Sequence, residues 1–462
     1  MPRFDPASLA QWTAGRWTAA PAAPLEGFGI DTRKLRRGEM FVALRTPVRD
    51  GHDFLEAAAA AGAGAALVSD PRPDCSLPQL VVDDPLHAFQ SIALHHRRGF
   101  GGPVAGISGS AGKTSTKDLL AILLGPRTLA TQGNLNNHLG VPLTLTRLDP
   151  THHTFAVIEA GISAPGEMAP LARMIEPDVA VITLVDHAHT RDLGGLAGVA
   201  REKAVLPAAV RPNGVAVLPR AVADLPAFGN LPSRRLVIER ADVILPENAG
   251  SGTIYFTLTQ RAEETAVTVA YGDPPPETYA LLRVTDGMAQ NAVLAICVAR
   301  WLGVTPEQIR ERLDQWQSAA LRGEVRHEGD RVLYVDCYNA NPASMLDALA
   351  TFDAMTAAAQ PPRLFILGGM EELGEESDAL HERVGVHLPL QHKDQALVIG
   401  TGAEHVATGA HRTGARPEQV EVLASLDGVA ARVAAWPGPI FIKGSRRYRL
   451  ETLLAEGAAV ST

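Results

Sequence analysis

Lys113 and Thr114 close the run Gly109-Ser110-Ala111-Gly112-Lys113-Thr114-Ser115, where small residues give way to an amine and a hydroxyl. The chemistry such a run supports is phosphate binding. Glycines at 109 and 112 let backbone N–H groups converge on anionic oxygens, and the start of a following helix adds the positive end of its dipole. Lys113 would then reach the outer phosphates, and the Thr114 hydroxyl would hold Mg²⁺. The spacing is shorter than a standard Walker A pattern, because the position five before Gly112 is Ile107 rather than glycine. A Gly-Lys-Thr surface turn is the alternative. The apolar run Val104–Ser108 before it and the amphipathic stretch after it favour a nucleotide site.

Other side chains of the right type fall at the ends of apolar runs. Glu159 ends Phe155-Ala-Val-Ile-Glu159, where its carboxylate would project beside the phosphate loop and ligate the metal that triphosphate transfer needs. A solvated strand-end carboxylate is the alternative. The run 179–185 predicts another strand, followed by Asp186-His187-Ala188-His189. Two histidines at i, i+2 on a loop serve as metal ligands, general bases or ordinary polar loop residues. Lys203 falls in a mostly apolar helical stretch, 196–206, where a snorkelling lysine is the plain reading.

The elements that must position these groups read as α/β throughout. Residues 27–98 alternate short β-like runs (40–44, 65–68, 79–82) with helical segments (52–61, 85–97), a small α/β domain. Gly99-Phe-Gly-Gly-Pro103 cannot continue a helix and predicts a boundary. Beyond it, the near-continuous apolar runs 104–108, 155–159, 179–185 and 215–218 predict a parallel sheet buried on both faces. Runs 253–258 and 266–271 predict an antiparallel addition, with helices over 288–302 and 306–316. A third alternating series has strands over 332–336, 364–367, 396–399 and 440–442, a Rossmann-like sheet without the glycine fingerprint of dinucleotide binding. The stretch 356–362 reads as a surface loop. Domains are expected over 1–98, 99–318 and 319–462, in keeping with the length of 462 residues.

A net charge of −9 argues against a nucleic-acid partner, which needs clustered Lys and Arg. Three scattered cysteines, Cys75, Cys297 and Cys337, imply no disulfide framework and fit a reducing compartment. The start Met-Pro-Arg-Phe-Asp lacks an apolar leader, and the segment 57–69 is too short to span a bilayer. A soluble cytoplasmic protein without membrane insertion is expected.

Together these residues resemble the Mur ligases, the ATP-dependent amide-bond-forming enzymes of peptidoglycan precursor synthesis. The run 109–115 resembles their short phosphate loop. Asn134-Leu-Asn136-Asn137-His-Leu-Gly140-Val-Pro142 and Asp336-Cys-Tyr338-Asn339-Ala-Asn-Pro-Ala-Ser-Met345 resemble segments of the type that adds D-alanyl-D-alanine. Asp31-Thr32-Arg33 and Asp50-Gly51-His52-Asp-Phe54 resemble segments that hold the uridine diphosphate end of the precursor, although as sequence they are also plain turn chemistry. Lys443-Gly-Ser445-Arg446 resembles a late motif on the amine side.

The resemblance implies a monomeric ligase that uses ATP and Mg²⁺ to join a UDP-muramoyl-peptide to D-alanyl-D-alanine through an acyl phosphate. Its catalytic group would be Lys113, Glu159, His189, Lys203 and Arg322. Residues 109–115 with Asn291, Arg322, Asp336, Tyr338 and Asn339 would hold ATP. Thr114 and Glu159 would ligate one Mg²⁺, and His189 with carbamylated Lys203 a second. Thr32, Arg33, Asp50, Gly51, His52, Asn136, Asn137, Lys443, Ser445 and Arg446 would touch the substrates. Three positions depart from the family: Gly369 for aspartate, Leu321 for glycine and Pro219 for asparagine. The rival readings are a ligase of this fold with another amine, and a nucleotide-binding paralogue without ligation.

Overall fold

The computed structural model describes residues 2–187, 190–242, 252–261, 263–272, 275–329, 331–356, 358 and 362–454. Among the described residues, mixed α/β structure forms around sheets of five, nine and six strands, with a separate two-stranded hairpin. In the central sheet Val104–Ser108 runs parallel to Phe155–Glu159 on one side and Val179–Ile182 on the other. The chain passes from Val104–Ser108 to Thr128–Ala130, beyond Phe155–Glu159, before crossing to the opposite side. That reversal of strand order opens a crevice at the carboxyl edge of the sheet. Glu159 pairs in register with Ile107 and Ile182 with Ser108, so their ends reach this one edge.

Val104–Ser108, Val179–Ile182 and Val215–Pro219 are buried along their whole length, as parallel strands covered on both faces must be. Helices Lys113–Leu124 and Asp286–Trp301 pack one face, with Leu119, Leu123, Val293 and Ile296 in the core. Helices Met168–Ile175 and Gly195–Ala208 pack the other. The expected hairpin forms between Thr253–Gln260 and Glu264–Ala270, and Glu277–Leu282 extends it. Strand Arg234–Arg240 escapes sequence reading because charged residues at both ends enclose only a short buried centre. The strand expected over 179–185 stops at Ile182. Past that point Leu184 turns its carbonyl to the Ser110 amide at 2.8 Å, leaving the ladder to follow the phosphate loop.

The first and central sheets are separated in sequence by the Gly99–Pro103 turn, yet their cores interlock. Helix Pro85–Arg98 contributes Ala93 to the central core, while Leu143 of the central part lies in the first core. Arg97 is fully buried and fixes the junction. Its guanidinium donates to the carbonyls of Ile175 at 2.9 Å and Glu176 at 2.9 Å, and to Asp178 at 2.8 Å. In the third sheet Arg331–Asp336 and Leu364–Gly368 flank Ile440–Lys443 in parallel, which sets Asp336 beside Lys443. No described helix is long and apolar enough to cross a membrane. Of the loop expected at 356–362, only Thr356, Ala358 and Pro362 are among the described residues.

Candidate active site

The phosphate loop leaves Val104–Ser108 and enters helix Lys113–Leu124 directly. Two glycines make that path possible. Gly109 has φ +154°, and a Cβ there would lie 1.9 Å from Thr183 Oγ1. Gly112 has φ +78°, and its Cβ would lie 2.3 Å from Asn291 Nδ2. Lys113 folds back to donate to the Gly109 carbonyl at 2.7 Å. Burial lowers its amine from the ordinary lysine value; nearby Glu159 raises it and Arg322 lowers it.

A cleft of about 740 Å³ opens over this loop, lined by residues 110–115 and Asn291 below and by Arg322, Asp336, Tyr338, Asn339 and Lys443 from the third sheet. The Arg322 guanidinium lies 3.8 Å from the centre of the Tyr338 ring, a cation–π contact that aims it over the cleft. Leu321, where a glycine was expected, holds φ +63° and is buried. Lys443 is buried and ion-paired with Asp336. That pair holds the strand ends together and leaves neither group free-standing in the cleft.

Glu159 is 2% exposed; its Oε1 accepts from Asn136 Nδ2 at 2.7 Å and its Oε2 is buried with no hydrogen-bond partner. An orphaned carboxylate oxygen beside a Thr114-bearing phosphate loop fits a divalent cation, which takes oxygen ligands. Among the described residues no three His, Cys, Asp or Glu cluster, so such an ion would share its remaining positions with phosphate oxygens and water. Lys203 is 3% exposed within Gly195–Ala208 rather than snorkelling to solvent. Burial pushes its amine well below the ordinary value and Lys113 pushes it further, against Glu202. A neutral buried amine is the form that reacts with carbon dioxide, so the site suits a carbamate. His189 lies outside the described residues.

Several expected contacts are not brought to the cleft. Arg33 pairs with Asp31 at 2.7 Å, and that bond holds the Asp31 carboxyl down to about 2. Asp50 caps the turn Gly51–Phe54, accepting from the His52 amide at 2.9 Å. The His52 ring is buried, with Nδ1 2.6 Å from Asp50 and Nε2 accepting from the Ser69 amide at 3.0 Å, so the ring itself faces the protein. Thr32, Arg33, Asp50 and Gly51 lie on the first unit, away from the cleft lining, whereas Asn136 and Asn137 line it. Ser445 caps the turn Arg446–Tyr448, and Arg446 pairs with Glu451 at 2.8 Å, both outside the cleft wall.

Gly369 has a packing reason. A Cβ there would fall 2.3 Å from the Thr401 carbonyl oxygen, a backbone atom with no room to yield. Gly369→Asp is therefore expected to destabilise the protein by about 1–3 kcal/mol, read as a lower melting temperature. A variant that melts as the wild type does would refute this packing account. The nearby Glu371 is tied to Tyr448, to Thr401 Oγ1 at 3.1 Å and to Arg447 at 3.2 Å. Sequence reasoning missed Thr183, Thr285, Gly287 and Asp347, which also line the cleft. The available signal was Asp347 itself, a carboxylate within the apolar helical stretch Pro342–Thr356.

Fold and cleft define a phosphate-loop enzyme whose nucleotide site is completed by a second α/β unit. The Mur ligase middle domain matches residues 107–234, and the Mur ligase glutamate ligase domain matches residues 321–446. The chain is 33% identical to the UDP-N-acetylmuramoyl-tripeptide--D-alanyl-D-alanine ligase of Escherichia coli (strain K12), over 83% of each chain. It is 31% identical to the enzyme of that name from Bacillus subtilis (strain 168), over 84% of this chain and 82% of that one. A crystal structure of MurF from Acinetobacter baumannii superposes with a TM-score of 0.85 at 26% identity, covering 98% of both chains. The chain belongs to the Mur ligase family.

Proposed function

We propose that this chain uses ATP and Mg²⁺ to join D-alanyl-D-alanine to a UDP-N-acetylmuramoyl-tripeptide, the reaction named for its relatives. The observation that supports it most is the buried, unpaired Glu159 oxygen beside Lys113 at the phosphate loop. The tripeptide carboxylate attacks the γ-phosphorus; a phosphorus–oxygen bond forms as the bridging oxygen departs with ADP. The dipeptide amine then attacks the acyl carbon, the carbon–nitrogen bond forms, phosphate leaves and the amine surrenders a proton.

The physical difficulty is anion meeting anion. Lys113 leaves the Gly109 carbonyl for a phosphate oxygen, and Arg322 approaches from the third unit, so positive charge converges where negative charge develops. Mg²⁺ held by Thr114 and Glu159, with a second ion on His189 and carbamylated Lys203, supplies further charge neutralisation when bound. Asn291, Asp336, Tyr338, Asn339 and the loop amides of residues 109–115 orient the nucleotide. Thr32, Arg33, Asp50, Gly51, Asn136 and Asn137 hold the precursor, Asp50 and Gly51 through the turn they build. Lys443, Ser445 and Arg446 shape the amine side by fixing the strand ends behind it.

Residues 1–98, 99–318 and 319–462 divide this work between precursor, nucleotide and amine. We infer that the enzyme acts as a monomer, in the cytoplasm where ATP is at hand. Phosphate release from ATP should require both the UDP-muramoyl-tripeptide and D-alanyl-D-alanine. Release that ignores the dipeptide, or that prefers another amine, would overturn the assignment.

A further inference from the structure

Two aspartates cross between the central and third units, and each ends on the first turn of the other unit's helix. Asp186 of the central unit accepts from the Ala343 amide at 3.2 Å, at the start of Pro342–Thr356. Asp347, on that helix, accepts from the Gly287 amide at 2.9 Å, at the start of Asp286–Trp301. First-turn amides have no partner within their own helix, and a carboxylate there also complements the helix dipole.

The arrangement is symmetric in detail. Thr285 caps its own helix through the Met288 amide at 3.0 Å, and Asn341 does the same through Ser344 at 2.8 Å. In both helices the residue just before the locally capped one, Gly287 or Ala343, gives its amide to the other unit. Glycine at 287 admits the visitor, since a Cβ there would lie 2.6 Å from Asp347 Oδ2. Both contacts also lead to the phosphate loop. The Asp186 backbone holds Ser110 Oγ at 2.8 and 3.0 Å. One helical turn beyond Gly287, Asn291 fills the space beside Gly112.

We propose that Asp186 and Asp347 are positioning residues, a reciprocal pair of helix caps that holds the third unit closed over the phosphate loop. The kinetic part of this inference rests on the cleft being the ATP site; the structural part does not. Losing one cap lowers the ratio of closed to open protein about fivefold, and the apparent KM for ATP rises by at most that factor, and by less the more the wild type is closed, at nearly constant kcat. Loss of general stability would not split KM from kcat in this way.

The test uses the full chain. Small-angle scattering without ligand is compared for the wild type, Asp186→Ala, Asp347→Ala and the matching asparagine variants, alongside ATP KM and melting temperature. The alanine variants should be more extended with raised KM, and asparagine, which keeps an accepting carbonyl, should restore most of the compactness. Alanine variants as compact as the wild type overturn the latch, and so do asparagine variants no better than alanine. Alanine variants less compact than a wild type that itself never consumes ATP would support the latch and overturn the ligase reading instead.

Discussion

The Lys113→Ala protein is expected to lose roughly 10²–10³-fold or more of its ligation rate, the loss typical of one preorganised charge-stabilising donor, while folding as the wild type does. Its amine makes one hydrogen bond, to the Gly109 carbonyl, and burial already lowers its pKa. Removing it therefore relieves a desolvated group and opens no cavity in the hydrophobic core. The transition state is less forgiving, because the tripeptide carboxylate must approach a triphosphate and Arg322 alone cannot cover both faces of the transferred group. Phosphate release measured with both substrates decides the matter, with circular dichroism as the folding control. Ligation at the wild-type rate would sink the phosphate-loop assignment.

Lys203→Ala should be nearly inactive, by at least ~10²-fold, since losing even an outer partner of a metal ligand costs 10–100-fold. An ammonium buried beside Lys113 would repel both that amine and any cation in the cleft; burial first, and Lys113 after it, hold the amine well below its usual pKa. Carbamylation, as proposed, would turn it into an anionic oxygen donor. Formate or acetate should partly restore Lys203→Ala by entering the vacated space, and should do nothing for Lys203→Met, whose side chain fills it. Normal activity in unrescued Lys203→Ala, or equal rescue of both variants, would discard the carbamate.

The central sheet was legible in the sequence because its strands are uniformly apolar and its loop carries its own spacing. Val104–Ser108, Phe155–Glu159 and the helix after Lys113 appear where the pattern puts them. Strands with charged ends, such as Arg234–Arg240 and Glu324–Glu328, were not legible, since their pairing partners and not their composition make them strands. Lys203 illustrates the limit for sites. A lysine in an apolar helix reads as a snorkelling side chain until tertiary packing seals it, and only the fold reveals that its amine is buried. Gly369 shows the reverse: a change that reads as altered chemistry is explained by the distance to one backbone oxygen.

The buried Arg97 junction has a consequence for what the enzyme measures. Ile175, Glu176 and Asp178 are gripped by one guanidinium, and each core lends a residue to the other, so the first two units are packed together as one frame. The span from the turn at Asp50 to the amine of Lys113 is therefore set within these two units and does not depend on the third. A precursor held at the Asp50 end, as proposed, would present its carboxylate at a position set by the number of residues in its stem. Each residue removed would withdraw that carboxylate by about 3.5 Å, more than the reach of a hydrogen bond, so on that placement the frame would count residues before any chemistry begins.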